Sequence, residues 1–410
     1  LVLMRCGAGA VDVVVVPHAP AFGAELELAS LERRIEAHEH ERMRALFPEG
    51  GLFTLSFTGF AEVNVAVLHP DDTALREHVR GELVRLLALS ENEREQAPFS
   101  SWAKRGSWRG VILEGHQNLL RAGYVMLGGA DDAIVDAFHR TSAALFAGFV
   151  RSPSGALESF WGRTWYVDNA VALESLRLHD VLYGTRYSAA LERFRDAIVV
   201  DDRLGLPVSE VSIGAKRVLD GPRGCALSWL LAFPAGDGPE GAHDRGWDRY
   251  VDAFTVDVAG MRGLREYPRG HRGTMNVDSG PIAFDIGAAA SAFGIAAARY
   301  HDDGDALGRM LLPLEILTLP SITLHGDEEL FFGQLPAADA IAVWARTVTR
   351  WDAPKPPSST TVPLLPTLCA ELALLVPVLL ALRFFLRALA RLSAARDASR
   401  DRLTVSRRLR

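Results

Sequence analysis

Apolar residues recur along most of this chain at intervals of three and four. They come in runs of about 12 to 20 positions broken by Gly, Pro and Asp, which is the period of amphipathic helices. Glu25 to Phe47 places Leu26, Leu31, Ile35, Met43 and Leu46 at helical spacing and is closed by Pro48-Glu49-Gly50-Gly51. Asp71-Asp72-Thr73 supplies an N-cap ahead of Leu75, Val79, Leu83, Leu86 and Leu87, and Asp131-Asp132 does the same for Ile134, Val135, Phe138, Leu145 and Phe146. Further helices are predicted over 168–183, 187–200, 223–233, 247–258, 281–300, 305–317 and 337–351, and Leu52 to Phe57 reads as a short strand. Roughly ten to twelve helices follow from this pattern.

Comparable helices joined by short connections form either an open solenoid or a closed double layer. No signature repeats at a period of about 33 to 47 residues, which argues against tetratricopeptide and HEAT arrays. Several connections are rich in Gly, Trp and paired charges, as loops around a cavity are. The expected fold is therefore mainly α, an (α/α)6 toroid-like helical barrel over residues 25–351.

The ends of the chain differ from this body. Residues 1–24 form an apolar segment with the small-residue content of the end of a signal or a first span, too short and too broken to be either. Asp352 to Thr361 is a Pro/Ser/Thr linker. Val362 to Leu382 is 21 residues long with one charge, Glu371, and three prolines, Pro363, Pro366 and Pro377, long enough to cross a bilayer as a transmembrane helix. Arg383, Arg387 and Arg391 follow at once, so residues 383–410 are read as a basic cytoplasmic tail and the helical domain as lying outside the cytoplasm, tethered to the cell membrane.

Charge sharpens that division. The formal charge is −7, but beyond Leu382 nine Arg stand against two Asp, which leaves −14 on the rest. An acidic body makes nucleic acid an unlikely partner. Three separated cysteines, Cys6, Cys225 and Cys369, give neither a zinc site nor a disulfide framework. No P-loop, dinucleotide fingerprint, HExxH or nucleophile elbow is present, so no cofactor and no metal are expected.

Four stretches carry more chemistry than packing demands. Ser159 to Asn169 contains Trp161 and Trp165 ahead of Asp168-Asn169 at a helix start. Glu266 to Pro281 crowds Glu266, Tyr267, Arg269, His271 and Asp278 into one Gly/Pro-rich loop, with Pro281 opening a helix. Arg223, beside Cys225 and Trp229 and preceded by Glu210, starts a helix whose dipole disfavours it, so a carboxylate or anionic ligand is expected nearby. Cys225 has part of an environment that lowers a thiol pKa, though a buried, inert role suits it better. In the fourth stretch Glu114 and His116, two apart, cannot share a helix face. His38 and His40 are read as lying on a solvated helix face.

Trp165-Tyr-Val-Asp168-Asn169 entering an Ala/Leu-rich helix, with the later Asp278-Ser-Gly-Pro281 corner, resembles the six-hairpin (α/α) toroid enzymes. It is most similar to the linalool dehydratase/isomerase-like domains of membrane-associated bacterial proteins. That terpene chemistry uses paired cysteines, whereas the body here has Cys225 alone. Toroid glycoside hydrolases and lyases instead use carboxylates on loops at the mouth. The resemblance thus implies acid–base chemistry on a glycan or glycolipid-like substrate. Asp168 and Asp278 would be the pair, Glu210 a substitute, and Trp161, Trp165, Asn169, Arg223, Trp229 and Arg269 the substrate contacts. A carboxyl separation of about 5 Å would predict retention, and one of about 6.5 to 9.5 Å inversion. The alternatives are a lyase or isomerase on an isoprenoid alcohol, with Cys225, Tyr267 and His271 as acid–base groups, and a non-catalytic extracytoplasmic scaffold that binds a small molecule, lipid or partner.

Overall fold

Gly50–Leu68 is mostly apolar and has no single apolar stripe, and a helix of that kind is enclosed on all sides. In the computed structural model all its residues except Phe53 and Leu68 are buried. It is also the one described helix long and apolar enough to cross a membrane, with its surface covered by protein. The structure describes residues 2–7, 10–15, 21–100, 109–159, 162–212, 214, 216–237, 243–258, 261–318, 321–322, 328–329, 333–356, 360–363 and 383.

Among these the fold is mainly helical: α1 (Ala21–Glu36), α2 (Glu39–Leu46), α3 (Gly50–Leu68), α4 (Thr73–Ser90), α5 (Glu93–Ser100), α6 (Val111–Met126), α7 (Asp132–Arg151), α8 (Tyr166–Tyr183), α9 (Ala189–Ala197), α10 (Gly224–Leu231), α11 (His243–Phe254), α12 (Ala288–Tyr300), α13 (Gly304–Thr318) and α14 (Pro336–Thr347).

Six of these helices contact one another in cyclic order: α3, α6, α8, α10, α12, α14 and back to α3. Between them in sequence lie α4, α7, α9, α11 and α13, with α1 packed against both α14 and α3. The sequence difference is direct. Helix α4 buries Val79, Leu83, Leu86 and Leu87 and α7 buries Phe138, Ser142, Leu145 and Phe149, one stripe each, whereas α6 and α8 are enclosed over most of their length. Close approach of α6 to α8 depends on Gly115, where a Cβ would stand 3.0 Å from the Ala172 nitrogen. Residues of these helices and of the segments after α10 and α14 line one cavity, among them Asn64, Leu119, Glu174, Phe233, Tyr300 and Trp351. Salt bridges Glu27–Arg346 and Arg34–Asp339 join α1 to α14.

Several expectations are corrected. Leu52 to Phe57 is part of α3, because burial on every side favours the element that satisfies its own backbone. The helix expected over 25–47 breaks at His38, which takes a left-handed conformation (φ 61°). His40 is buried, with Nε2 3.8 Å from a Glu95 oxygen, and burial depresses its pKa to about 4. The helix expected from Pro281 begins at Ala288, after a two-residue hairpin pairing Ile282–Ala283 with Ile286–Gly287. Helix α11 ends at Phe254 and the chain turns into a strand, Thr255–Val258. Val2–Gly7, Ala10–Val15 and Thr360–Pro363 form a three-stranded antiparallel sheet, so Val362 and Pro363 are extended. Residues 364–382 of the expected span, and the basic tail apart from Arg383, lie outside the described residues.

Candidate functional site

The ends of three helices, α3, α8 and α10, and the loop before α12 converge on one polar cluster. A three-stranded sheet, Arg163–Trp165, Glu210–Ser212 and Val218–Asp220, places Trp165 opposite Glu210 and delivers the chain into α8. Asp168 is therefore in the first turn of α8, not at its cap, and is only 6% exposed.

Three other carboxylates act on it. Burial raises the Asp168 pKa to about 8, a hydrogen bond with Ser159 opposes the rise, and the charges of Glu49, Asp278 and Glu210 add to it. Glu49, immediately before α3, is raised to about 7 by burial and by Asp278. Asp278 is also raised, by loss of surrounding solvent, against the pull of Arg223. Its side chain is nevertheless exposed. The cluster thus holds one carboxyl, Asp168, that is protonated at neutral pH, beside Glu49 at about 7.

Arg223 organises the second half of the site. Its Nε donates to Glu266 Oε1 at 2.8 Å and its Nη2 to Asn276 Oδ1 at 3.0 Å, and Nη1 lies 3.5 Å from Asp220. The guanidinium stands over Trp165 at 5.5 Å and over Tyr267 at 5.9 Å. Glu266 is the carboxylate that the unfavourable helix-start arginine called for. Gly224 makes the approach possible, since a Cβ there would fall 1.9 Å from the Arg265 carbonyl oxygen. The Cys225 backbone N–H donates to Glu266 Oε2 at 3.2 Å, and its thiol to Oε1 at 3.1 Å. Burial, then the Glu266 charge, pushes the thiol well above its ordinary value despite Arg223, so a lowered pKa does not hold.

The remaining expected residues divide. Glu210 is buried and paired with the half-exposed Arg163, whose Nη2 donates at 2.6 Å. Asn169 is a fastener: its Oδ1 accepts from Leu157 N at 2.7 Å and its Nδ2 donates to Trp165 O at 3.0 Å, which leaves it little capacity for a substrate. Tyr267 donates to Thr274 O at 2.9 Å. Arg269 and His271 are exposed on the same loop, with no polar side-chain contact described to the carboxylates. Trp161 lies outside the described residues.

About two turns down, the interior is filled by aromatic rings. Trp229 stacks on Phe293 at 4.8 Å and meets Phe53 edge-on at 5.4 Å, and Phe53 stacks on His116 at 5.5 Å. His116 Nδ1 is 2.7 Å from Ser56 Oγ, while its Nε2 and the Trp229 Nε1 have no hydrogen-bond partner. Burial depresses His116 to about 3, so it is neutral. Glu49 is the participant absent from the sequence-based set, because the turn signal Pro-Glu-Gly-Gly concealed it. Glu266 and His116 stood in the stretches singled out above but without these roles: Glu266 partners Arg223, and α6 turns His116 inward.

No protein-family model matches this chain, and no curated protein does.

Proposed function

We propose that the cycle of six enclosed helices is the inner wall of an (α/α) toroid, and that the carboxylates at its N-terminal mouth perform acid–base chemistry on a glycan or glycolipid-like substrate. The observation that carries this is the raised pKa of Asp168 beside Glu49, Asp278 and Glu210. A protonated carboxyl near ionisable ones is the division of labour that glycoside cleavage needs. Asp168 gives its proton to the leaving glycosidic oxygen as the C–O bond breaks. Asp278 assists water, whose hydroxyl adds to the anomeric carbon and whose remaining proton replenishes the carboxyls. Trp165 and Tyr267, held flat by Arg223, offer ring faces for a sugar.

The aromatic interior supports a second reading, in which Asp168 protonates an isoprenoid alcohol and water leaves. Cys225 is a weak candidate there, because its thiol is buried and held by Glu266. The likeness to linalool dehydratase/isomerase-like domains and the C-terminal anchor at 362–382 remain part of this proposal. They are supported by the motif layout and by the apolar run followed by Arg. Membrane fractionation of the full chain against one ending at Thr361 tests the anchor.

The enzymatic reading is tested by incubating the full chain, Asp168→Asn and Asp278→Asn with a panel of glycans and terpenols. Release of reducing ends by the wild type alone supports glycan cleavage. Loss of water from a terpenol favours the second reading, turnover by all three proteins alike would overturn the role of the two Asp, and no turnover by any of them points to a binding scaffold.

A further inference from the structure

Away from the mouth, three glutamates on three helices meet: Glu32 of α1, Glu62 of α3 and Glu82 of α4. One carboxylate oxygen of each lies within 4.8 Å of the others. That is about twice a Ca²⁺–oxygen distance of roughly 2.4 Å, the spacing of oxygens around one hard cation. Glu62 is 1% exposed, and neither of its oxygens has a hydrogen-bond partner. A buried carboxylate without a donor is costly unless something positive or a proton reaches it.

The surroundings define the missing charge. Arg85 Nε donates to Glu82 Oε2 at 2.9 Å, and its Nη2 also reaches the Glu32 carbonyl at 3.5 Å. His78 Nε2 sits 3.0 Å from Glu32 Oε1 and orients that carboxylate. Three carboxylates against one guanidinium leave two negative charges, which one divalent ion neutralises. Glu62 enters from the enclosed side, whereas Glu32 and Glu82 are partly exposed, so an ion and its remaining waters have a route in. The donors are all carboxylate oxygens, the set chosen by Ca²⁺ or Mg²⁺ over softer metals.

We propose that Glu32, Glu62 and Glu82 form a binding site for a hard divalent cation that ties α1 and α4 to α3. It is separate from the carboxylates at the mouth and does not depend on their role. Its position at the junction of three helices makes the role structural.

The full chain, stripped with chelator, is titrated with Ca²⁺ and separately with Mg²⁺ by calorimetry, and its thermal midpoint is followed at each concentration. Saturable binding of one ion per chain, with a midpoint that climbs with the logarithm of ion concentration, is expected for at least one of the two ions. Glu62→Gln keeps the shape of the side chain and should weaken binding at least tenfold, and Glu82→Gln serves as a second, less buried variant. Circular dichroism confirms that each is folded. Absence of binding to the wild type, or unchanged affinity in both folded variants, would overturn the proposal and leave Glu62 as a protonated, neutral carboxyl.

Discussion

Trp351 Nε1 donates to Asn64 Oδ1 at 2.7 Å across 287 residues of sequence. Asn64 Nδ2 in turn donates to Thr347 Oγ1 at 3.2 Å, so one buried side chain of α3 holds both the end of α14 and the segment after it. The last enclosed helix is thereby fastened to the first. Asn64→Ala removes the acceptor from a buried indole and the donor from a buried hydroxyl. The expected cost is about 2–4 kcal/mol in urea unfolding, and a loss under about 0.5 kcal/mol would show that this fastening is idle.

Asp168 should make stability fall with pH. In the unfolded chain it ionises near its ordinary value of 3.8, and in the folded chain at about 8. Between those values the folded state holds a proton that the unfolded state has lost, so each step upward costs stability. Asp168→Asn should therefore stabilise the protein near pH 7, on the order of 4 kcal/mol at most, with the gain vanishing near pH 4. Denaturation midpoints at pH 4, 6 and 8 read this directly, and a gain independent of pH would contradict it.

Breaking the Arg223 pair exposes a different balance. Glu266→Gln leaves a buried guanidinium with Asn276 and the more distant Asp220, and takes away the charge that adds to burial in raising the Cys225 thiol. Stability should drop by about 3–5 kcal/mol. Alkylation by maleimide at pH 8 should be slow at Cys225 in the native wild type and faster in the variant. Rapid alkylation of native Cys225, located by peptide mapping, would be inconsistent with its burial.

His116 acts in the opposite sense to Asp168. Its pKa is depressed to about 3 from 6.5, so the unfolded chain takes up a proton below about 6.5 that the folded chain refuses, and stability is lost as pH falls through that window. His116→Phe should be more stable relative to wild type at pH 5 than at pH 7. The same difference at both values would mean that the imidazole is charged inside the fold.

Much of this was legible because packing leaves a periodic trace. Single apolar stripes announced α4 and α7, and the Asp72 and Asp131 caps both accept amide protons as expected, at Leu75 and at Ala133 and Ile134. Arg223 at a helix start demanded a carboxylate, and Glu266 supplies it. Helix α3 was misjudged over Leu52 to Phe57 because a helix buried on all sides loses its stripe. Glu49 and the three clustered glutamates stayed hidden for another reason. Nothing in local sequence says which charges from distant helices will meet.

The proposed chemistry turns on a protonated Asp168. The most direct test is the initial rate of glycan cleavage from pH 5 to pH 9, for the wild type and Asp168→Asn, on whichever panel member releases reducing ends. The wild-type rate should fall on the alkaline side with a midpoint near 8, as Asp168 loses its proton, and the variant should be at least a hundredfold slower at every pH (about 10²–10⁴ for general acid catalysis). A wild-type rate that does not fall above pH 8, or a variant that cleaves as fast, would contradict it.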